Sequence, residues 1–161
     1  MKLKMSFLAE PTDANYRGNV HGGKVMKWID EVGYALSVQY AGKYCVTKFV
    51  DDIEFLEPVH IGDLVLLDAE IIKVGNTSLR IHVNVSSESL IKKVKKQNCA
   101  CDIVFVAIDE EIANKNGNLN TVKQPLPLPK GVSNMALPNA KKSMMPPPPP
   151  SHFAVEDAEI G

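Results

Sequence analysis

Apolar and polar positions along the chain follow two different periods. From about Gly22 to Ala41 the apolar residues recur at helical spacing. On a wheel of 100° per residue, Val25, Met26, Trp28, Ile29, Val32, Ala35, Leu36 and Tyr40 fill an arc of about 180°. That predicts a long helix, stopped by Gly42 and wide enough in its apolar face to be wrapped by something large. Downstream the period shortens to two. Leu79, Ile81, Val83 and Val85 alternate with Arg80, His82, Asn84 and Ser86, the pattern of a half-buried strand. Leu3 to Leu8, Val46 to Phe55 (interrupted by Asp51-Asp52), Leu64 to Val74 and Cys99 to Ile108 read as further strands. Glu57 to Asp63 reads as a turn, Gly75-Asn76 as a hairpin tip, and Lys92-Lys93-Val94-Lys95-Lys96 as a charged turn. One helix and a run of antiparallel strands make an α+β unit, a sheet wrapped around a single helix. A core this small beside so wide an apolar helix predicts at least a dimer.

Composition adds boundaries. The chain has 161 residues, 45% hydrophobic and 23% charged, with a formal net charge of -1, the mix of a globular domain. A near-neutral balance argues against nucleic-acid binding by bulk positive charge and against a polybasic membrane anchor. The longest apolar run, Ile103 to Ile108, is too short to span a bilayer, and the first residues show no signal-peptide h-region. Of 11 prolines, only Pro11 and Pro58 precede residue 125. We therefore expect one domain over residues 1–124 and a Pro-rich tail over 125–161, largely flexible. Gln124 to Pro129 is expected to be extended and Pro146 to Pro150 to form a polyproline rod. Three cysteines form no disulfide framework and suggest a reducing cytoplasm.

Candidate chemistry concentrates where a glycine-containing loop enters the helix. The first helical amides lack intrahelical acceptors, and with the helix dipole they favour negative charge. Gly22 and Gly23 allow close approach of a substrate, so an oxyanion forming from a carbonyl oxygen would be stabilised there. Asp30 lies about two turns further in, at the edge of the apolar arc, where a carboxylate can activate water. Each residue also has a plainer reading: Gly-Gly as loop geometry, Asp30 as a solvated or paired acid, His21 as a structural hydrogen-bonding residue.

The longer string weighs between these readings. Pro11, Asp13-x-Asn15, Gly18-Asn19-Val20-His21-Gly22-Gly23 and Met26-x-x-Ile29-Asp30-Glu31 stand in order. They are followed by Phe55-Leu56-x-Pro58-Val59-x-x-Gly62-Asp63, Val74-Gly75-Asn76-Thr77-Ser78 and Phe105-Val106-Ala107-Ile108-Asp109. This succession, over about residues 5 to 129, resembles the hotdog-fold acyl-CoA thioesterases. It is similar to the short bacterial enzymes and to each half of the cytosolic brain-type acyl-CoA hydrolases. The resemblance implies a hotdog fold and hydrolysis of acyl-CoA to a carboxylic acid and coenzyme A. It implies Asp30 as the catalytic carboxylate, acting as base on water or as nucleophile on the thioester. It implies Asn15 as a holder of water or carbonyl from the other subunit, and amides around His21, Gly22 and Gly23 as polarising donors. Coenzyme A is expected near Lys73, Gly75, Asn76, Thr77 and Ser78, although a plain hairpin explains that turn equally well. Active sites at a dimer seam, a trimer of dimers, and no metal or separate cofactor complete the expectation.

Two competitors differ in class. A non-catalytic acyl-CoA-binding module would keep the fold without needing Asp30. A hotdog 3-hydroxyacyl thioester dehydratase would pair a His with a carboxylate, and His21 is the one His near the helix. Cys99 and Cys101, two apart on a strand, read as small core residues rather than zinc ligands.

Overall fold

A computed structural model describes residues 1–108 and Leu126. The elements in chain order are β1 (Lys2–Leu8), a short 3-10 turn (Pro11–Asp13), α1 (Gly22–Ala41), β2 (Cys45–Val50), β3 (Asp63–Val74), β4 (Ser78–Ser89) and β5 (Val94–Ala107). The strands form one antiparallel sheet in the order β1-β3-β4-β5-β2. The predicted helix has the predicted limits. Gly42 ends it in the left-handed region, φ 63°, and its amide closes on the Val38 carbonyl. That conformation is inexpensive for glycine because no Cβ meets the following carbonyl.

The period-2 pattern sorts the sheet. Val65, Leu67 and Ala69 of β3, Leu79, Ile81, Val83 and Val85 of β4, and Cys101, Ile103 and Phe105 of β5 all face inward and are buried. Against them α1 lays Val25, Trp28, Ile29, Val32 and Leu36, and it touches all five strands. Gly33 sits in the same stripe because a Cβ there would lie 2.6 Å from Phe105 Cε2. Register shifts at Thr47/Phe49, Ile71/Lys73 and Val85/Ser86 interrupt three ladders. Such bulges increase local twist and help a sheet curl around a helix.

Three expectations need correcting. The buried stripe is narrower than the wheel implied: Met26, within the arc, is 46% exposed, and Tyr34, which the arc did not include, is 40% exposed. These two and Asp30 lie four residues apart on the helix face beside β2, so that part of the face remains uncovered within one chain. The strand expected from Val46 to Phe55 ends at Val50. Beyond it residues 51–56 run along β5 as an irregular strap, joined at Asp51 N to Asp102 O (2.8 Å) and at Leu56 N to Asn98 O (2.8 Å). Five steps of strap thus span four of β5, and the surplus residue arches it off the ladder. The charged turn is also shorter than expected. Lys93 makes it with φ 53°, and Val94 already begins β5.

Beyond residue 108 only Leu126 is described. It is buried in the core, and its amide donates to the Asn76 carbonyl (2.9 Å). The expected domain boundary at 124, the extended segment around it and the polyproline rod otherwise lie outside the described residues.

Candidate active site

The loop entering α1 is tied by its own residues. Asn15 Oδ1 accepts from the amides of Arg17 (2.9 Å) and Asn19 (3.2 Å), and Ala14 and Val20 form an isolated bridge. Asp13 is buried and accepts from the Glu10 amide (3.0 Å) and from Lys24 Nζ (2.8 Å). Burial alone would raise its pKa. The Lys24 ammonium and the Glu10 amide outweigh that and hold the carboxyl below its ordinary value. The same contact raises Lys24, whose ammonium also lies 5.4 Å over the Trp28 ring. The sequence string contained Asp13, but its part as the anchor of the loop became visible only in three dimensions.

His21 is the N-cap of α1. Its amide donates to the Asp13 carbonyl (2.9 Å), its own carbonyl receives Lys24 and Val25, and its side chain makes no cap bond. The Gly22 and Gly23 amides therefore begin the helix with neither an intrahelical acceptor nor a capping side chain. A cleft of about 280 Å³ opens at this point between Asn15, Asn19 and Gly22 on one side and Phe55, Leu56 and Pro58 on the other. The Phe55 ring lies 3.6 Å from where a Cβ would stand at Gly22.

A second cleft, also about 280 Å³, lies along the helix face beside β2, lined by Gly23, Met26, Ile29 and Asp30 of α1 with Val50, Ile53 and Ile103 opposite. Asp30 is exposed at its rim, and the Thr47 hydroxyl donates to its Oδ1. The site thus brings a carboxylate, an apolar trough and free helical amides to one half of α1. Thr47 was missed by the sequence reading. Its partner is 17 positions away, and only the docking of β2 on α1 joins them.

The structure divides the remaining expected residues. Asn15 shares the first cleft with Gly22, while Asp30 shares the second with Gly23. The Lys73-to-Ser78 turn stands at the opposite end of α1. Its Gly75 amide meets the Ser78 carbonyl (2.7 Å), the Ala107 amide meets the Thr77 carbonyl (2.9 Å), and Ile108 continues to Tyr44, just past the helix C-terminus. Within one chain it is not brought to Asp30. Cys99 and Cys101 are buried core residues, and burial pushes their thiols up to about 11 and about 12. Among the described residues no three His, Cys, Asp or Glu side chains converge as a metal site. Nor is any helix among them long and apolar enough to cross a membrane.

Comparison with known proteins supplies the context. Residues 17–92 match the family described as the thioesterase superfamily. Protein VdlD of Helicobacter pylori is 35% identical over 129 residues, which span 80% of this chain and 67% of VdlD. An uncharacterized acyl-CoA thioester hydrolase of Haemophilus influenzae is 32% identical over 123 residues, 74% of this chain and 77% of that protein. Among solved structures, a hexameric thioesterase from Yersinia pestis superposes with a TM-score of 0.67 at 29% identity, covering 78% of this chain and 94% of that one.

Proposed function

The chain belongs to the thioesterase superfamily and has its hotdog architecture, and from that premise we propose that it hydrolyses acyl-CoA to a carboxylic acid and coenzyme A. The observation that carries the reading is Asp30, oriented by Thr47 at the rim of an apolar trough about two helical turns from uncapped amides. Asp30 takes a proton from water as the water oxygen attacks the thioester carbon. The Gly22 and Gly23 amides stabilise the negative charge that collects on the carbonyl oxygen. The carbon–sulfur bond then breaks, and the coenzyme A thiolate leaves and takes up the proton. The hydrolysis is redox-neutral and uses no metal or separate cofactor.

The active unit is a homo-oligomer with sites at a dimer seam. Met26, Tyr34, Tyr44 and Phe49 leave apolar surface around the β2 edge, and the partner's loop would bring its own Asn15 to the seam as a holder of water or carbonyl. A trimer of dimers agrees with the hexameric assembly of the Yersinia relative. Coenzyme A approaches the Lys73-to-Ser78 turn of a neighbouring subunit. Three free thiols, all buried, fit a cytoplasmic enzyme.

The test is thiol release, followed with a disulfide dye, from acetyl to palmitoyl coenzyme A thioesters, with wild type and Asp30→Asn side by side. Turnover that collapses in the variant supports the assignment. Equal rates in the two would refute the role of Asp30, and acyl-CoA binding with no turnover by wild type would favour a binding module.

A further inference from the structure

The trough beside Asp30 has one wall unlike the others. Ile29 and Met26 belong to α1, Val50 to β2 and Ile103 to β5, all regular elements. Ile53 alone comes from the strap between β2 and β3, and it packs half-buried against the core. The strap is irregular but firmly held. At one end Arg80 Nη1 donates to Asp51 Oδ2 (3.2 Å) and to Asp102 Oδ2 (3.1 Å), while the Asp51 amide meets Asp102 O. At the other end Asn98, fully buried, donates from Nδ2 to the Glu57 carbonyl (3.1 Å) and accepts the Leu56 amide. Asn98 reaches that position through the β5 bulge, where Val85 pairs with Cys99 but Ser86 pairs with Gln97. The residue left over turns into the interior. A span with one surplus residue, pinned at both ends, is a rigid arch, and its height sets how far Ile53 projects into the trough.

We propose that Ile53, held by this arch, determines the acyl-chain length that the enzyme accepts. The inference rests on the reading of Asp30 as the residue beside the reacting carbonyl. A thioester placed there must send its alkyl chain along apolar surface, and the trough starts at Asp30 and Gly23 and is lined by aliphatic side chains. Each methylene buried there improves kcat/KM by about fourfold, until the chain meets the Ile53 wall. Asn98 and Arg80 act through the strap and are positioning residues. A purely structural strap would affect all chain lengths alike.

The experiment compares wild type, Ile53→Ala and Ile53→Trp on the acetyl-to-palmitoyl series. The same thioesters are titrated calorimetrically into each Ile53 variant combined with Asp30→Asn, and into Asp30→Asn alone. The proposal expects Ile53→Ala to raise the palmitoyl-to-acetyl ratio of kcat/KM at least tenfold and Ile53→Trp to lower it as much, with affinities moving in parallel. Ratios unchanged within twofold in both variants would overturn it. If Ile53→Trp fails to fold, the smaller Ile53→Ala decides by the same ratio. If wild type hydrolyses no thioester, the hydrolase reading fails by itself. The binding series then decides: a length-dependent shift supports the Ile53 wall, and a uniform one overturns it.

Discussion

The two ends of α1 are built to opposite specifications. At the C-terminal end every nearby backbone group described above is engaged. Gly42 closes on Val38, Ile108 on Tyr44, Ala107 on Thr77 and Leu126 on Asn76, and Leu126 covers the apolar core there. At the N-terminal end the helix starts on two glycines with no capping side chain, between two open clefts, with Asp30 exposed at the rim of one. The polar groups of the first end are spent on holding the fold. Those of the second remain available to a ligand, and the loop that presents them is stabilised from behind by the ion pair of buried Asp13 with half-buried Lys24. The same secondary structure thus carries a stability end and a reaction end, so variants at the two ends should separate folding from turnover.

The largest expected separation comes from Asp30→Asn. Loss of a positioned general base lowers kcat by about 10²- to 10⁴-fold, and because Asp30 is exposed the melting temperature should hardly move. A large drop in Tm with kcat intact would erase the distinction between the ends. The converse variant is Leu126→Ala. Truncating a buried leucine costs about 2 to 5 kcal/mol, read from urea unfolding, while kcat measured well below the transition stays near wild type. Thr47→Val sharpens the picture within the reaction end. Removing a hydrogen bond to a charged group is worth about 1.5 kcal/mol or more, so kcat/KM should fall roughly tenfold with unfolding little changed.

The smallest effect concerns pH and the loop anchor. Asp13 is held below its ordinary value of 3.8, so its contribution to stability is complete above that pH. It is lost as acid carries the pH down through the folded-state value. Lys24 is raised above 10.5, so its contribution is present below that pH and lost as alkali carries the pH up past its folded-state value. Asp13→Asn should therefore flatten the acid limb of a plot of Tm against pH, and an acid limb identical to wild type would remove Asp13 as the anchor.

Much of this architecture was legible residue by residue. The spacing of Val25, Ile29, Val32 and Leu36 and the glycine at 42 located the helix to its ends. The alternation through Val85 located β4, and Cys99 and Cys101 were readable as core. The wheel overstated the buried arc because it counts apolar residues without knowing which are covered inside one chain, and Met26 is not. The strap was misread as strand because Ile53 and Phe55 have the composition of one. Only the offset between Asp51–Asp102 and Leu56–Asn98 shows the surplus residue.

What the sequence by itself determined is whatever depends on neighbours along the chain. Helical and strand periods, the stop at Gly42, the loop-to-helix entry at Gly22 and the motif order that resembles a thioesterase all arise from local propensity and side-chain spacing. What only the tertiary structure decided is whatever depends on register and docking. The Thr47 hydroxyl on Asp30, the Arg80 bridge between Asp51 and Asp102, and the Asn98 clamp on the strap join residues 17 to 41 positions apart. A one-residue slip in a strand would turn each of those side chains to the other face. Such contacts are settled by how the sheet closes on the helix, and no local pattern encodes them.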